Sequence, residues 1–179
     1  MVGGVADMVA AEGITAEWLA SKLPKVGDVD VYVADANITV DALAYLIDHV
    51  DKPLYLDAVS GAKAPKIKEA MSRSVKKHFF SLKCNQLEND FLEDLECVDR
   101  RFVSLGANGL DVMEGKAKHH FAALPCHVVN ATGAGDALMA GIIHVGPEAS
   151  VEEAARIGLL CAKNNIESPD TVNVNQPKV

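Results

Sequence analysis

From residue 15 to residue 105 short apolar runs alternate with stretches of helical period, and no other feature narrows the fold as much. Residues 15–21 are predicted as a short helix and 29–34 as a strand. Thr39 then offers an N-cap to a segment in which Val40, Leu43, Ala44, Ile47 and Val50 recur at helical spacing. Residues 54–56 read as a second strand, and Pro65 suits the first turn of a helix whose apolar face is Ile67, Ala70, Met71 and Val75. A third strand over 78–82, a helix over 86–97 and a fourth strand over 101–105 complete the series. Strands alternating with helices call for a parallel sheet covered on both faces, an α/β fold.

Composition removes several classes of function. A chain of 179 residues is one domain by size and needs no disulfide or metal staple. Lys and Arg number 17 against 25 Asp and Glu, a formal charge of -8. No basic run exceeds two residues, as in Lys76-Lys77, which argues against nucleic acid as a partner. Apolar residues make up 49%, too many for a disordered chain, and no run approaches the roughly 18 apolar residues of a membrane span. Cys84, Cys97, Cys126 and Cys161 form no C-x-x-C pair and are expected as buried thiols of a reduced, cytoplasmic protein. The opening residues MVGGVADMVAAEGI lack the basic and apolar regions of a secretion signal, which fits that location.

After residue 106 the rhythm changes. Residues 110–113 and 117–124 are predicted as a hairpin about the turn Glu114-Gly115-Lys116. Thr132-Gly-Ala-Gly-Asp136 then leads into a helix over 137–145 that is apolar on nearly every side and expected to be buried, and Ser150-Val-Glu-Glu153 is a capping box opening a last helix. Small residues at 133–135 let backbone N–H groups converge beside a helix N-terminus, a receptor for phosphate or for charge developing on a transferring phosphoryl group. An Asp directly afterwards repels a resting anion, but it makes sense where a hydroxyl must be oriented and deprotonated beside the phosphate. No Lys follows the glycines, so this is not a Walker loop; as bare pattern they also fit a tight turn. Polar residues follow the predicted strands at their carboxyl ends, namely Asp35 and Asn37, Asp57, Asn85 and the stretch 106–109. Open α/β sheets bind ligands there, although each Asp or Asn taken singly also fits a helix cap.

Residues 130–141, Asn-Ala-Thr-Gly-Ala-Gly-Asp-Ala-Leu-Met-Ala-Gly, resemble the carboxyl-terminal signature of the PfkB-type, ribokinase-like carbohydrate and nucleoside kinases. Asn85-Gln-Leu-Glu88 is similar to the N-x-x-E motif of that family, and Ser104-Leu-Gly-Ala-Asn-Gly109 to its T-L-G-x-x-G segment, in the family's order. Asp57-Ala-Val-Ser60 with Lys63 resembles the D-P-V-S…K stretch of the subgroup that phosphorylates pseudouridine, with Ala58 in place of Pro. Asp7-Met-Val-Ala10, Asp35-Ala-Asn37 and Thr171-Val-Asn173 are similar to the same subgroup. The resemblance implies a ribokinase-like three-layer α/β/α fold with a mostly parallel sheet, over a single partial domain spanning residues 1–179. It implies ATP-dependent phosphorylation of a primary hydroxyl on a nucleoside or sugar, with pseudouridine the favoured acceptor.

Carried over position by position, Asp136 is expected as the general base and Gly133, Ala134 and Gly135 as the anion hole. Ser104, Gly106 and Gly109 would border the phosphates of ATP, Asn85 with Glu88 would organise Mg²⁺, and Asp57 with Lys63 would meet the acceptor. Asn130 stands where many relatives carry Asp beside an activating monovalent cation, which argues against a potassium requirement here. The resemblance begins partway into the family's fold. The first Gly-Gly signature, the early Asp that grips sugar hydroxyls and the β-sheet lid that often builds a homodimer have no counterpart. Only 15 residues, 89 to 103, separate Glu88 from Ser104, so a helix is expected to be shortened and a sheet edge uncovered. Two readings follow: a kinase, or a non-catalytic nucleotide-binding or assembly module that kept the ATP half of the fold.

Other features have plainer readings. His119 and His120 are expected as solvated hairpin residues on opposite faces, with no metal role. Trp18 is expected to pack, Met8, Met71, Met113 and Met139 to lie in the core, and Glu93, Asp94, Glu96 and Asp99 to form a solvated acidic face.

Overall fold

The computed structural model describes residues 8–173; Asp7 lies outside them. Six strands stand in one mixed sheet in chain order, β1 (Tyr32–Asp35), β2 (Leu54–Asp57), β3 (Phe79–Asn85), β4 (Val98–Ser104), β5 (Leu110–Glu114) and β6 (Ala117–Phe121). By backbone contact the chain divides into two compact units: residues up to Phe79 with Leu87–Val98, and Phe80–Gln86 with the residues from Asp99 onward.

The first unit follows its caps. After a single turn, α1 (Val9–Glu12), α2 (Ala16–Lys22) opens on Thr15, whose hydroxyl accepts the Trp18 N–H. Thr39 likewise accepts the Ala42 N–H at the start of α3 (Val40–His49). Strands β1 and β2 pair in parallel, Tyr32 opposite Leu54 and Asp35 opposite Asp57, so both end at the same level. Helix α4 (Pro65–Arg73) carries Pro in its first turn and buries Ile67, Ala70 and Met71. Val75 does not join that face. Ser74 turns extended, the Asp48 carboxylate accepts the N–H groups of Val75 and Lys76 at 2.8 and 2.9 Å, and Val75 is left 87% exposed. The helix expected over 86–97 is one turn, α5 (Gln86–Asn89). Turns three residues apart follow it, with Leu92 N–H donating to Asn89 and Leu95 N–H to Leu92. Buried Leu92 and Leu95 anchor this three-residue period, and Asn and Asp nearby favour turns over helix. Trp18 is 45% exposed rather than packed, with the Lys22 ammonium 5.6 Å from its ring centre.

In the second unit β4, β5 and β6 run antiparallel, Ser104 opposite Leu110 and Leu110 opposite Phe121, which is the predicted hairpin ending short of residue 124. Helix α6 (Ala134–Val145) starts three residues before the expected position, so Asp136 lies inside its first turn. It is not buried all round: Leu138, Met139, Gly141 and Ile142 are covered while Ala140 and His144 are exposed. Helix α7 (Val151–Ile166) opens on Ser150, whose hydroxyl accepts the Glu153 N–H. The two helices meet at glycines. A Cβ on Gly141 would stand 2.8 Å from the Gly158 Cα, and one on Gly158 would stand 2.9 Å from a Leu138 methyl.

Of the four thiols, Cys84 and Cys161 are buried within β3 and α7, but Cys97, just before β4, and Cys126, in the stretch between β6 and α6, are exposed. Met71 and Met139 are buried, whereas Met8 and Met113 are only partly so. His120 is exposed and lies 2.7 Å from the Asp111 carboxylate, and Glu93, Asp94, Glu96 and Asp99 are all exposed.

Candidate active site

The turn before α6 is built by one residue that only glycine suits. Gly133 takes φ +82, and a Cβ there would overlap the carbonyl oxygen of Thr171. The left-handed turn redirects the chain so that the backbone of 133–135 heads the helix, where N–H groups lack partners within the helix and the dipole is positive. The Ala134 N–H closes a 3.3 Å turn to the Ala131 carbonyl. Asp136, one residue beyond this group, is exposed.

Asparagines hold the turn from behind. Asn130 Oδ1 accepts the Thr132 N–H at 2.9 Å, and its Nδ2 donates to the Pro169 carbonyl at 3.2 Å. Buried Asn165 donates to the Thr132 carbonyl at 2.9 Å and accepts the Asn173 N–H at 3.3 Å, while Asn173 Nδ2 reaches the Asn164 carbonyl at 2.9 Å. The similarity noted at 171–173 therefore falls on a segment that braces the turn.

Within the same unit, Ser104 ends β4 and its hydroxyl donates to the Cys84 carbonyl at 3.4 Å, next to Asn85 at the end of β3. The residues after Ser104 form a 3₁₀ turn over Gly106–Asn108, closed by Leu105 N–H donating to the Gly109 carbonyl at 2.8 Å. Gly109, at φ +96, passes so close to the Phe121 carbonyl that no Cβ fits. Packing accounts for that glycine before any ligand does.

The first unit gathers the residues expected to meet an acceptor. Asp57 ends β2, and its Oδ1 accepts the N–H of Val59 at 2.8 Å; Val59, a β-branched residue, holds φ +67. The Lys63 ammonium donates to Asn37 Oδ1 and lies 3.8 Å from the Met8 sulfur. Asn37 in turn gives its backbone and side-chain N–H groups to the Asp35 carboxylate at 2.9 and 2.8 Å. Lys66 caps the carbonyls of Ala36, Asn37 and Ile38 at 3.3, 3.4 and 3.0 Å. Asp35, Asn37, Asp57 and Lys63 thus lie at the carboxyl ends of two parallel strands, the place where sheets of this class bind ligands. Glu88, in α5, belongs to this unit and is 3% exposed.

Among the described residues no three His, Cys, Asp or Glu side chains cluster to hold a metal. No described helix is long and apolar enough to cross a membrane.

Lys83 escaped the motif reading. It lies in β3, is 8% exposed, and its Nζ sits 2.8 Å from where a Cβ on Gly135 would stand. The signal was available: one Lys inside the apolar run Phe79-Phe-Ser-Leu-Lys-Cys84 is a costly residue to bury without a purpose. Asn165 carried no comparable signal, because an Asn late in a helix reads as an exposed residue near its end.

Comparison with known proteins bears on the fold and the family. The model of the pfkB family carbohydrate kinases matches residues 79–178, more than half of the chain. The chain is 31% identical over 161 residues to pseudouridine kinase of Escherichia coli K12, covering 79% of this chain and 50% of that protein. A putative sugar kinase from Clostridium perfringens superimposes with a TM-score of 0.78 at 22% identity, over 98% of this chain and 60% of that one. For a carbohydrate kinase from Agrobacterium tumefaciens the values are 0.74 and 27%, over 93% and 58%. For ribokinase from Thermotoga maritima they are 0.74 and 18%, over 93% and 59%. The fold is thus the ribokinase-like α/β fold, and the chain spans about half the length of the curated relative it matches. Three motifs in order, the left-handed turn heading α6 and a family match across that region lead to one assignment: the chain belongs to the pfkB family of carbohydrate kinases.

Proposed function

We propose that this chain carries the phosphoryl-transfer machinery of an ATP-dependent kinase that phosphorylates the primary hydroxyl of a nucleoside or sugar, pseudouridine being the favoured acceptor. The observation that carries the reading is the exposed Asp136 carboxylate in the first turn of α6, immediately after the Gly133 turn. Phosphoryl transfer has a loose transition state, so catalysis is mainly alignment and charge stabilisation. The backbone N–H groups of Gly133, Ala134 and Gly135 stabilise the charge on the migrating group, and Asp136 takes the proton of the attacking hydroxyl. Ser104, Gly106 and Gly109 border the nucleotide phosphates. ATP with Mg²⁺ supplies the transferable group when bound, with Asn85 and Glu88 as the residues that would hold the ion. Lys63, already donating to Asn37, and Asp57 orient the acceptor; the match to pseudouridine kinase supports that acceptor among others.

Asn130 and Asn165 donate to the carbonyls of Pro169 and Thr132. These bonds brace the turn, and it is Asn130, neutral where many relatives carry a carboxylate, that argues against a monovalent-cation requirement.

Release of ADP from Mg-ATP is the test, measured with pseudouridine, uridine and ribose in turn. The expected result is pseudouridine-dependent release that falls about 10²–10⁴-fold in Asp136→Asn while ATP binding persists. Unchanged turnover in that variant removes Asp136 from the mechanism. The shortened stretch after Glu88, where α5 is a single turn, favours a second reading, a nucleotide-binding or assembly module without turnover. ATP binding with no ADP release under any acceptor selects it.

A further inference from the structure

The first unit holds a cavity of about 590 Å³ that the kinase reading does not use. It lies at the amino ends of two parallel strands: Tyr32 begins β1, and Lys52 comes just before Leu54 at the start of β2. The residues assigned to the acceptor stand at the carboxyl ends of the same strands, so the two places are distinct. The lining combines apolar residues from the turn after α2 with three rings, those of Tyr32, Tyr45 and His49. His49 stacks on Tyr45, with ring centres 3.9 Å apart and planes within 10°.

The polar groups of this lining are held back from the rest of the fold. His49 Nδ1 donates to the Tyr45 carbonyl at 2.8 Å, which leaves Nε2 of the neutral ring as an acceptor. Among the described residues, the hydroxyls of Tyr32 and Tyr45, the carboxylates of Asp28 and Asp51 and the Lys52 ammonium have no hydrogen bond or ion pair to protein. Both tyrosines are half-buried, a setting in which a phenol hydroxyl usually finds a partner. Two carboxylates against one ammonium make the cavity acidic, which disfavours phosphate and other anions. No three His, Cys, Asp or Glu among the described residues are grouped as a metal needs, so a bare metal ion is not what this lining fits.

We propose that this cavity binds a planar, uncharged heteroaromatic ring carrying an amino group, the chemistry of adenine or cytosine, without a phosphate. The tyrosine and histidine rings supply faces for stacking, which every such ring accepts. Carboxylates only accept hydrogen bonds, so Asp28 and Asp51 call for N–H donors on the ligand. Lys52, next to Asp51 in the chain, supplies the donor for a ring nitrogen beside that amino group. The volume falls within the roughly 300–1,000 Å³ of small-molecule sites. The proposal goes beyond the kinase reading and does not rest on it.

The test titrates adenine into the whole chain by calorimetry, with and without saturating Mg-ATP, and benzoate as a flat anionic control. Adenine is expected to bind equally in both conditions, and benzoate not at all. Tyr45→Ala is expected to weaken adenine by about 5- to 100-fold through lost stacking, and Asp51→Ala by about 10-fold through a lost bond to a charged group. Circular dichroism checks folding; if Tyr45→Ala does not fold, Asp51→Ala, at an exposed position, decides. No adenine binding up to its solubility limit, binding that Mg-ATP displaces, or unchanged affinity in folded Asp51→Ala overturns the proposal. Benzoate bound as tightly as adenine overturns it too.

Discussion

At the scale of single residues, the turn heading α6 depends on Gly133 and on the asparagines behind it. Gly133→Ala forces a Cβ into positive φ and onto the Thr171 carbonyl, and is expected to cost about 1–3 kcal/mol or more in chemical denaturation. Asn165→Ala strips partners from the Thr132 carbonyl and the Asn173 N–H. About 1–3 kcal/mol is expected by the same measurement, with weaker ATP binding because the turn loosens. The two residues differ in how far sequence exposes them. Gly133 and Asp136 are legible because their chemistry is local: a turn, a helix start, an acid. Asn165 and Lys83 are not, because what they meet at the turn, Thr132 and Gly135, lies more than thirty positions away. The same holds at Gly109, where a motif glycine is explained by its approach to Phe121.

At the scale of elements, α6 and α7 are held close by Gly141 and Gly158. Gly158→Ala inserts a methyl against Leu138 and Ile142 and is expected to destabilise the chain by about 1–3 kcal/mol in denaturant. Part of that strain reaches the site, since α6 carries Asp136, so ATP affinity falls as well. The β5–β6 hairpin makes a different prediction. Burial pulls the Asp111 carboxyl up, but hydrogen bonds from Lys118 and His120 and their charges outweigh it, and the group titrates below its ordinary value of 3.8. A depressed folded value means that the stabilisation is complete above the unfolded value, about 3.9, and lost as pH falls through the folded one. The thermal midpoint is therefore expected to drop below about pH 4, and Asp111→Asn to flatten that acid limb. Caps were legible element by element, as Thr15, Thr39 and Ser150 show. The stretch 86–97 was not: Leu92 and Leu95 satisfy a helical pattern on paper, yet each closes a three-residue turn.

At the scale of the whole molecule, β1 stands first in the strand order, and among the described residues it pairs only with β2. Val33 on that strand is 55% exposed, an uncovered apolar position at an open edge of the kind that promotes association. Val33→Lys is expected to lower light scattering at high concentration while moving stability by no more than about 0.5 kcal/mol. Residue order alone determined the alternation of strand and helix, the hairpin, the capped helix starts and the Gly133–Asp136 turn. Each of these depends on hydrophobic period or on backbone preferences acting over a few neighbours. Tertiary structure decided which thiols are buried, where Val75 ends and what Lys83 and Asn165 face. Those outcomes belong to pairs of residues distant in the chain, and a pair has no contact to read until the fold brings it together.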